Sequence, residues 1–166
     1  MLDVVVRSKR YNCDFQLAHK ASVFLGDSGT GKTKLVEALT DASGGYSIST
    51  SKDCKFIKLT SNSWVELLEG SAGKENYVYI VDDDDFIFTE EFGKLYKNID
   101  NSYFIFIVRA TYIKDKCDVS DRISIPFDAI YEFTADGINH SIVPSSKNAS
   151  IALYMLDKDF KAGAIC

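Results

Sequence analysis

Residues 2–6 and 11–18 alternate apolar and polar positions on either side of a polar stretch at 7–10, the pattern of a β-hairpin with one wet face. Residues 21–25 are apolar and end at Gly26, which predicts a short buried strand running into a glycine-rich loop. Beyond that loop Leu35, Val36 and Leu39 recur at helical spacing and predict a helix over 32–40. Gly44 and Gly45 close it, stretches 46–50 and 54–59 read as β, and 63–68 as a short helix.

Residues 77–81 and 103–108 are continuously apolar and rich in Val, Ile, Tyr and Phe. Such runs belong to strands buried on both faces of a parallel sheet. Between them Thr89 is placed to cap a helix running to about residue 98. Glu90 and Glu91 fall in its first turn, where the helix dipole favours acids, and Phe92, Leu95, Tyr96 and Ile99 share one face. Later stretches 123–125, 129–134 and 138–143 read as short strands. The last two form a hairpin turning at Ala135, Asp136 and Gly137, and 149–160 reads as a short helix. Strands alternating with helices predict an α/β fold with β decoration at both ends. No internal repeat or linker divides the chain, so residues 1–166 read as one domain: a hairpin at 1–20, a core at 21–111, and a hairpin with a tail at 112–166.

Composition narrows the field. Of 166 residues, 46% are hydrophobic, enough for a substantial core. Lys+Arg 19 against Asp+Glu 24 gives a net charge of −5, which argues against direct nucleic-acid binding. No apolar run approaches the roughly 20 residues that cross a bilayer, so no membrane partner is expected. Asp3, Arg7, Lys9 and Arg10 interrupt what a signal peptide would keep apolar. Cys13, Cys54, Cys117 and Cys166 are widely spaced without a C-x-x-C pair, which fits reduced thiols in a cytoplasmic protein. His19 and His140 are isolated and read as structural or exposed; Tyr77, Tyr79, Phe104 and Phe106 read as core. Arg7, Lys9 and Arg10 read as a solvated turn or a contact for an acidic partner.

The strongest chemical signal is the run Gly26, Asp27, Ser28, Gly29, Thr30, Gly31, Lys32, Thr33, which fits G-x-x-x-x-G-K-[ST] at every fixed position between a predicted strand and a predicted helix. Glycines let successive backbone N–H groups curl around phosphates, and the helix N-terminus adds its positive end. Lys32 reaches β/γ oxygens as a point charge, and Thr33 offers a hydroxyl to Mg²⁺. With the following Lys34, these residues form the candidate nucleotide-binding set.

The chain here resembles the P-loop NTPase superfamily, with residues 26–33 matching its Walker A motif and Tyr79, Ile80, Val81 and Asp82 resembling its Walker B motif. The resemblance covers about residues 21–109 and is to the AAA-like ATPases among that superfamily. It implies a three-layer α/β P-loop NTPase fold with a mainly parallel central sheet, an N-terminal β-hairpin and C-terminal β decoration. It also implies ATP and Mg²⁺ as cofactors, Thr33 and Asp82 as metal ligands, and Lys32 in a catalytic role. Asp83 stands where relatives carry a water-polarising glutamate; a shorter base or a solvated carboxylate are the two readings. Asp84 and Asp85 read as solvated. Arg109, at the end of the second buried strand, is the candidate γ-phosphate sensor, with Thr111 in reserve. No N-K-x-D motif follows, which disfavours GTP, and the ABC-type signature is absent. Arg7, Arg10, Arg109 and Arg122 are the only arginines, a sparse supply for a reaction that an arginine finger accelerates by about 10³–10⁵. The expectation is an ATPase of low intrinsic activity, serving as a switch or a subunit with a protein partner or through self-association. A small-molecule or nucleotide kinase, with Arg122 as a lid residue, and a non-catalytic ATP-binding interaction protein are the alternatives.

Overall fold

The computed structural model describes residues 1–25, 31–40, 44–71, 76–82, 90–108 and 129–144. Nine strands and three helices follow in the order β1 (Leu2–Arg7), β2 (Asn12–Leu17), β3 (Ala21–Leu25), α1 (Lys32–Thr40), β4 (Ser47–Thr50), β5 (Lys55–Leu59), α2 (Trp64–Ser71), β6 (Tyr77–Asp82), α3 (Glu90–Lys97), β7 (Tyr103–Val108), β8 (Ile130–Asp136) and β9 (Asn139–Pro144). All nine strands belong to one sheet, ordered β4-β1-β2-β9-β8-β3-β7-β6-β5.

Pairing is mixed. β1·β2, β1·β4 and β8·β9 are antiparallel, whereas β2·β9, β3·β8, β3·β7, β6·β7 and β5·β6 are parallel. Strands hold 49% of the described residues and helices 24%, and the sheet curls into a half-barrel. This overturns the expected three-layer α/β P-loop fold with a mainly parallel central sheet. The physical reason lies in the two hairpins. Instead of decorating a separate core, they join end to end through the parallel pair β2·β9 and extend the sheet itself, a pairing between residues 12–14 and 139–141 that no local pattern encodes.

Apart from Ser22 in β3 and Asp82 at the end of β6, the strands β3, β6 and β7 are apolar because each faces a core on both sides. On one face Val23 and Leu25 of β3, Tyr79 and Val81 of β6, and Phe104 and Phe106 of β7 pack with Trp64 and Leu68 of α2 and Phe92 and Tyr96 of α3. The alternate residues, Phe24, Val78, Ile80, Ile105 and Ile107, pack with Leu35, Val36 and Leu39 of α1, together with Leu2, Val4 and Val6 of β1 and Phe15 and Leu17 of β2. The period of two thus splits every central strand between two cores. β1 and β2 keep a wet side, with Asp3, Arg7, Asp14 and Gln16 exposed.

Local chemistry sets several ends. Thr60 accepts the Trp64 N–H through its carbonyl at 3.0 Å, and its own N–H donates to Ser63 Oγ at 3.2 Å, a reciprocal cap that starts α2. Lys94 and Lys97 occupy the last turn of α3, where cations suit the helix dipole. α2 runs on to Ser71, beyond the expected 63–68. The terminal hairpin turns at Gly137 (φ 62°) and Ile138, slightly later than the sequence suggests. The expected strand at 123–125 and helix at 149–160 lie outside the described residues, as does the capping Thr89. No described helix is long and apolar enough to cross a membrane.

Candidate functional site

β3 ends at Leu25 and α1 begins at Lys32, so the glycine-rich loop joins a buried strand to a helix. Gly31 is the last residue before α1 and has φ +94°, a left-handed value that only glycine adopts without strain. Its carbonyl accepts two hydrogen bonds, from the Leu35 N–H at 3.1 Å and from the Tyr11 O–H at 3.1 Å. The first of these opens the helical ladder, so Gly31 serves as the N-cap of α1.

Gly31 is also needed for space. A Cβ built on it would lie 2.6 Å from His140 Nδ1 and 3.3 Å from Tyr11 Cε2. Tyr11 and His140 are stacked, with ring centroids 4.4 Å apart and planes at 29°. The register Cys13↔His140 brings the two rings together across β2·β9. His140 is therefore not isolated, as its sequence surroundings suggest, but packs with Tyr11 against Gly31. No local signal marks this pair, which lies 129 positions apart and meets only through sheet topology.

Lys32, the first residue of α1, is only 6% exposed. A buried ammonium is costly without anionic or carbonyl oxygens around it. Thr33 and Lys34 are exposed. Asp82 closes β6 and is half-buried. Both Asp82 and Phe24 pair with Ile107 of β7, so they stand level at the carboxyl ends of strands separated by one neighbour. Two strand spacings put their backbones roughly 10 Å apart. Ligands of open parallel sheets sit at this end of the strands.

Of the expected site residues, Gly31, Lys32, Thr33, Lys34 and Asp82 are described: the first four stand at the start of α1 and Asp82 at the end of β6. Gly26, Asp27, Ser28, Gly29, Thr30, Asp83 and Arg109 lie outside the described residues, as do Asp84, Asp85, Thr111 and Arg122. No group of three or more His, Cys, Asp or Glu suited to a metal ion occurs among the described residues. A Mg²⁺ site needs no such cluster. The ion keeps several waters and takes one or two protein oxygens beside substrate phosphates, so a hydroxyl such as that of Thr33 and a carboxylate such as that of Asp82 are donors of the right kind.

Burial shapes the titration of Tyr11 and Cys13. It pushes the Tyr11 phenol far above its ordinary value, with Cys13 and Tyr46 adding to the effect, so the hydroxyl is a donor at any ordinary pH. The Cys13 thiol is pushed up to about 11, chiefly by burial. Farther out on the hairpin Arg7 pairs with Asp14, and their hydrogen bond holds the carboxyl below its ordinary value.

Comparison with protein-family models, with curated proteins and with solved structures finds no match for this chain.

Proposed function

We propose that this protein binds Mg·ATP and hydrolyses it slowly, acting as a switch or as a subunit alongside a protein partner. The observation that carries the reading is the junction of β3 and α1: a loop matching G-x-x-x-x-G-K-[ST], a left-handed Gly31 at its last turn, and a buried Lys32 at the helix start. Asp82 at the same end of the sheet supports it. In this reading backbone N–H groups and the helix N-terminus bind the phosphates, and Lys32 neutralises their charge. Thr33 and Asp82 would hold Mg²⁺, which when bound offsets charge developing on the transferred phosphoryl group. Asp83 is the proposed water-orienting base and Arg109 the proposed sensor. Slow turnover follows from the arginine supply. Only four are present, and Arg7 is engaged with Asp14 on the hairpin, so an arginine finger would have to come from a neighbouring molecule.

A thermal-melting series with ATP, ADP and GTP, each with and without Mg²⁺, tests the reading. At 100 times Kd a ligand adds about 2.7 kcal/mol, an upward shift of several degrees for a domain of this size. ATP and ADP are expected to stabilise the wild type, and Lys32→Ala is expected to lose most of the response. A wild type that no nucleotide stabilises, or a Lys32→Ala variant that responds equally, overturns it.

A further inference from the structure

The loop's last peptide is held from outside the loop. Peptide groups are planar and trans, so the Gly31 carbonyl and the Lys32 N–H point in opposite directions. Whatever fixes the carbonyl aims the N–H. Leu35 alone fixes it only as far as the first turn of a helix is rigid, and Gly31, in the left-handed region, is flanked by a backbone with few steric limits of its own. The Tyr11 hydroxyl supplies the second hold, donating to the same carbonyl at 3.1 Å from a different part of the sheet.

Tyr11 is itself immobilised on three sides. Its N–H donates to Ser8 Oγ at 2.9 Å, its carbonyl accepts the Ser8 N–H at 2.9 Å, and the edge of Tyr46 meets its ring at 6.3 Å and 86°. His140 stacks on it and simultaneously fills the space where a Gly31 side chain would stand. Tyr11 is 1% exposed, so its ring is packed on all sides.

We propose that Tyr11, seated on His140, is a positioning residue that aims the Lys32 N–H at the phosphates of the bound nucleotide. The inference rests on the nucleotide reading above. It makes the β2·β9 seam part of the binding apparatus, although neither strand contributes to the glycine-rich motif.

The test is isothermal titration of ATP and ADP, with Mg²⁺ and at a temperature where all variants are folded, into wild type, Tyr11→Phe, Tyr46→Phe and His140→Ala. Tyr11→Phe keeps the ring and removes only the donor. One hydrogen bond of ordinary net strength corresponds to roughly three- to tenfold weaker binding, and ATP and ADP should weaken by the same factor because both carry the β-phosphate. Tyr46→Phe, which keeps the packing edge, should bind as the wild type does. Melting of the unliganded proteins separates positioning from general stability: Tyr11→Phe should lose affinity out of proportion to any change in its unliganded Tm. If Tyr11→Phe does not fold, His140→Ala decides, since it leaves the phenol but removes its seat and should also weaken both nucleotides. In nucleotide-free protein the Lys32 amide ¹⁵N resonance should move in Tyr11→Phe and stay in Tyr46→Phe.

Three results overturn the proposal. Equal affinity in Tyr11→Phe and wild type removes the positioning role and leaves the nucleotide reading intact, and an equal loss in Tyr46→Phe assigns the effect to hairpin packing. A wild type that binds neither nucleotide, even with the Lys32 resonance shifted in Tyr11→Phe, overturns the nucleotide reading and Tyr11's role with it.

Discussion

Cys13 is buried on β2, one arm of the first hairpin, and its burial ties folding to alkaline pH. The thiol's ordinary value of 9.0 rises to about 11 in the folded chain, mainly through burial, with the neighbouring Tyr11 hydroxyl pulling the other way and the Asp14 charge adding to the rise. Below about pH 9 folded and unfolded chains both hold the proton. Between 9 and about 11 only the folded chain holds it, so the unfolded state is favoured progressively as pH rises. A rise of this size bounds the loss at roughly 3 kcal/mol. Cys13→Ala should therefore cost stability at neutral pH through the small cavity, yet lose less of what remains between pH 8.5 and 10.5. Denaturant unfolding at the two pH values measures both slopes, and parallel slopes would remove Cys13 from the account. Arg7 and Asp14 illustrate the opposite limit. Their bond lowers the Asp14 carboxyl, so its contribution is present above the ordinary carboxylate range and fades as pH falls through the lowered value, but both groups face water and salt screens them.

Among the elements, β3 shows how a buried strand tolerates one unsatisfied group. Ser22 is fully buried between Ala21 and Val23, and its Oγ has no hydrogen-bond partner among the described residues. Ser71, at the end of α2, is buried as well, but its Oγ donates to the Leu67 carbonyl at 2.6 Å and also meets the Tyr79 hydroxyl. The same substitution should have opposite signs at the two sites. Ser22→Ala relieves a stranded hydroxyl and is expected to leave stability unchanged or raise it by up to about 1 kcal/mol, whereas Ser71→Ala leaves Tyr79 short of a partner and should cost about 1–2 kcal/mol. Chemical denaturation of the pair is the check, and a destabilised Ser22→Ala would mean that its hydroxyl is satisfied. Strands such as β3, β6 and β7 are legible in the sequence because burial on both faces leaves an apolar run, interrupted in β3 only by the small Ser22. α1 and α3 are legible because Leu35, Val36, Leu39, Phe92 and Tyr96 repeat at helical spacing. Half of the candidate site is legible for the same kind of reason, since Gly31, Lys32 and Thr33 are neighbours in sequence and Asp82 follows a run that can only be a strand end. Tyr11 and His140 are not legible. Each is an ordinary aromatic in an alternating strand, and only the parallel register of β2 with β9 brings them together against Gly31.

At the scale of the molecule the same register decides what the last hairpin is for. Among the described residues, the order β2-β9-β8-β3 makes β8 and β9 the strands that link β4, β1 and β2 to β3, β7, β6 and β5 within the sheet. Read from the sequence, residues 112–166 are decoration around a core at 21–111; in the sheet, β8 and β9 are the bridge. Removing them would strip β3 of one neighbour and expose the side of Phe24 that meets the rings of Tyr131 and Phe133 at 5.9 and 5.8 Å. It would also delete Ile130 and Phe133 from the two cores and His140 from beneath Gly31. Burying one such large apolar side chain contributes about 1.5–3 kcal/mol, and a domain's net stability is only about 5–15 kcal/mol. With the partly buried Tyr131 and Ile142 also lost, the deficit reaches the lower end of that range before the opened strand edges are considered. A chain ending at residue 128 is therefore expected to lose its cooperative thermal transition and to aggregate through the unpaired edges of β2 and β3. Phe133→Ala, a milder cut in the same place, should unfold cooperatively with a loss of about 3–5 kcal/mol. If the truncated chain instead melts cooperatively within a few degrees of the full one, the two halves of the sheet hold together through α1 and the apolar core alone, and the bridge is dispensable.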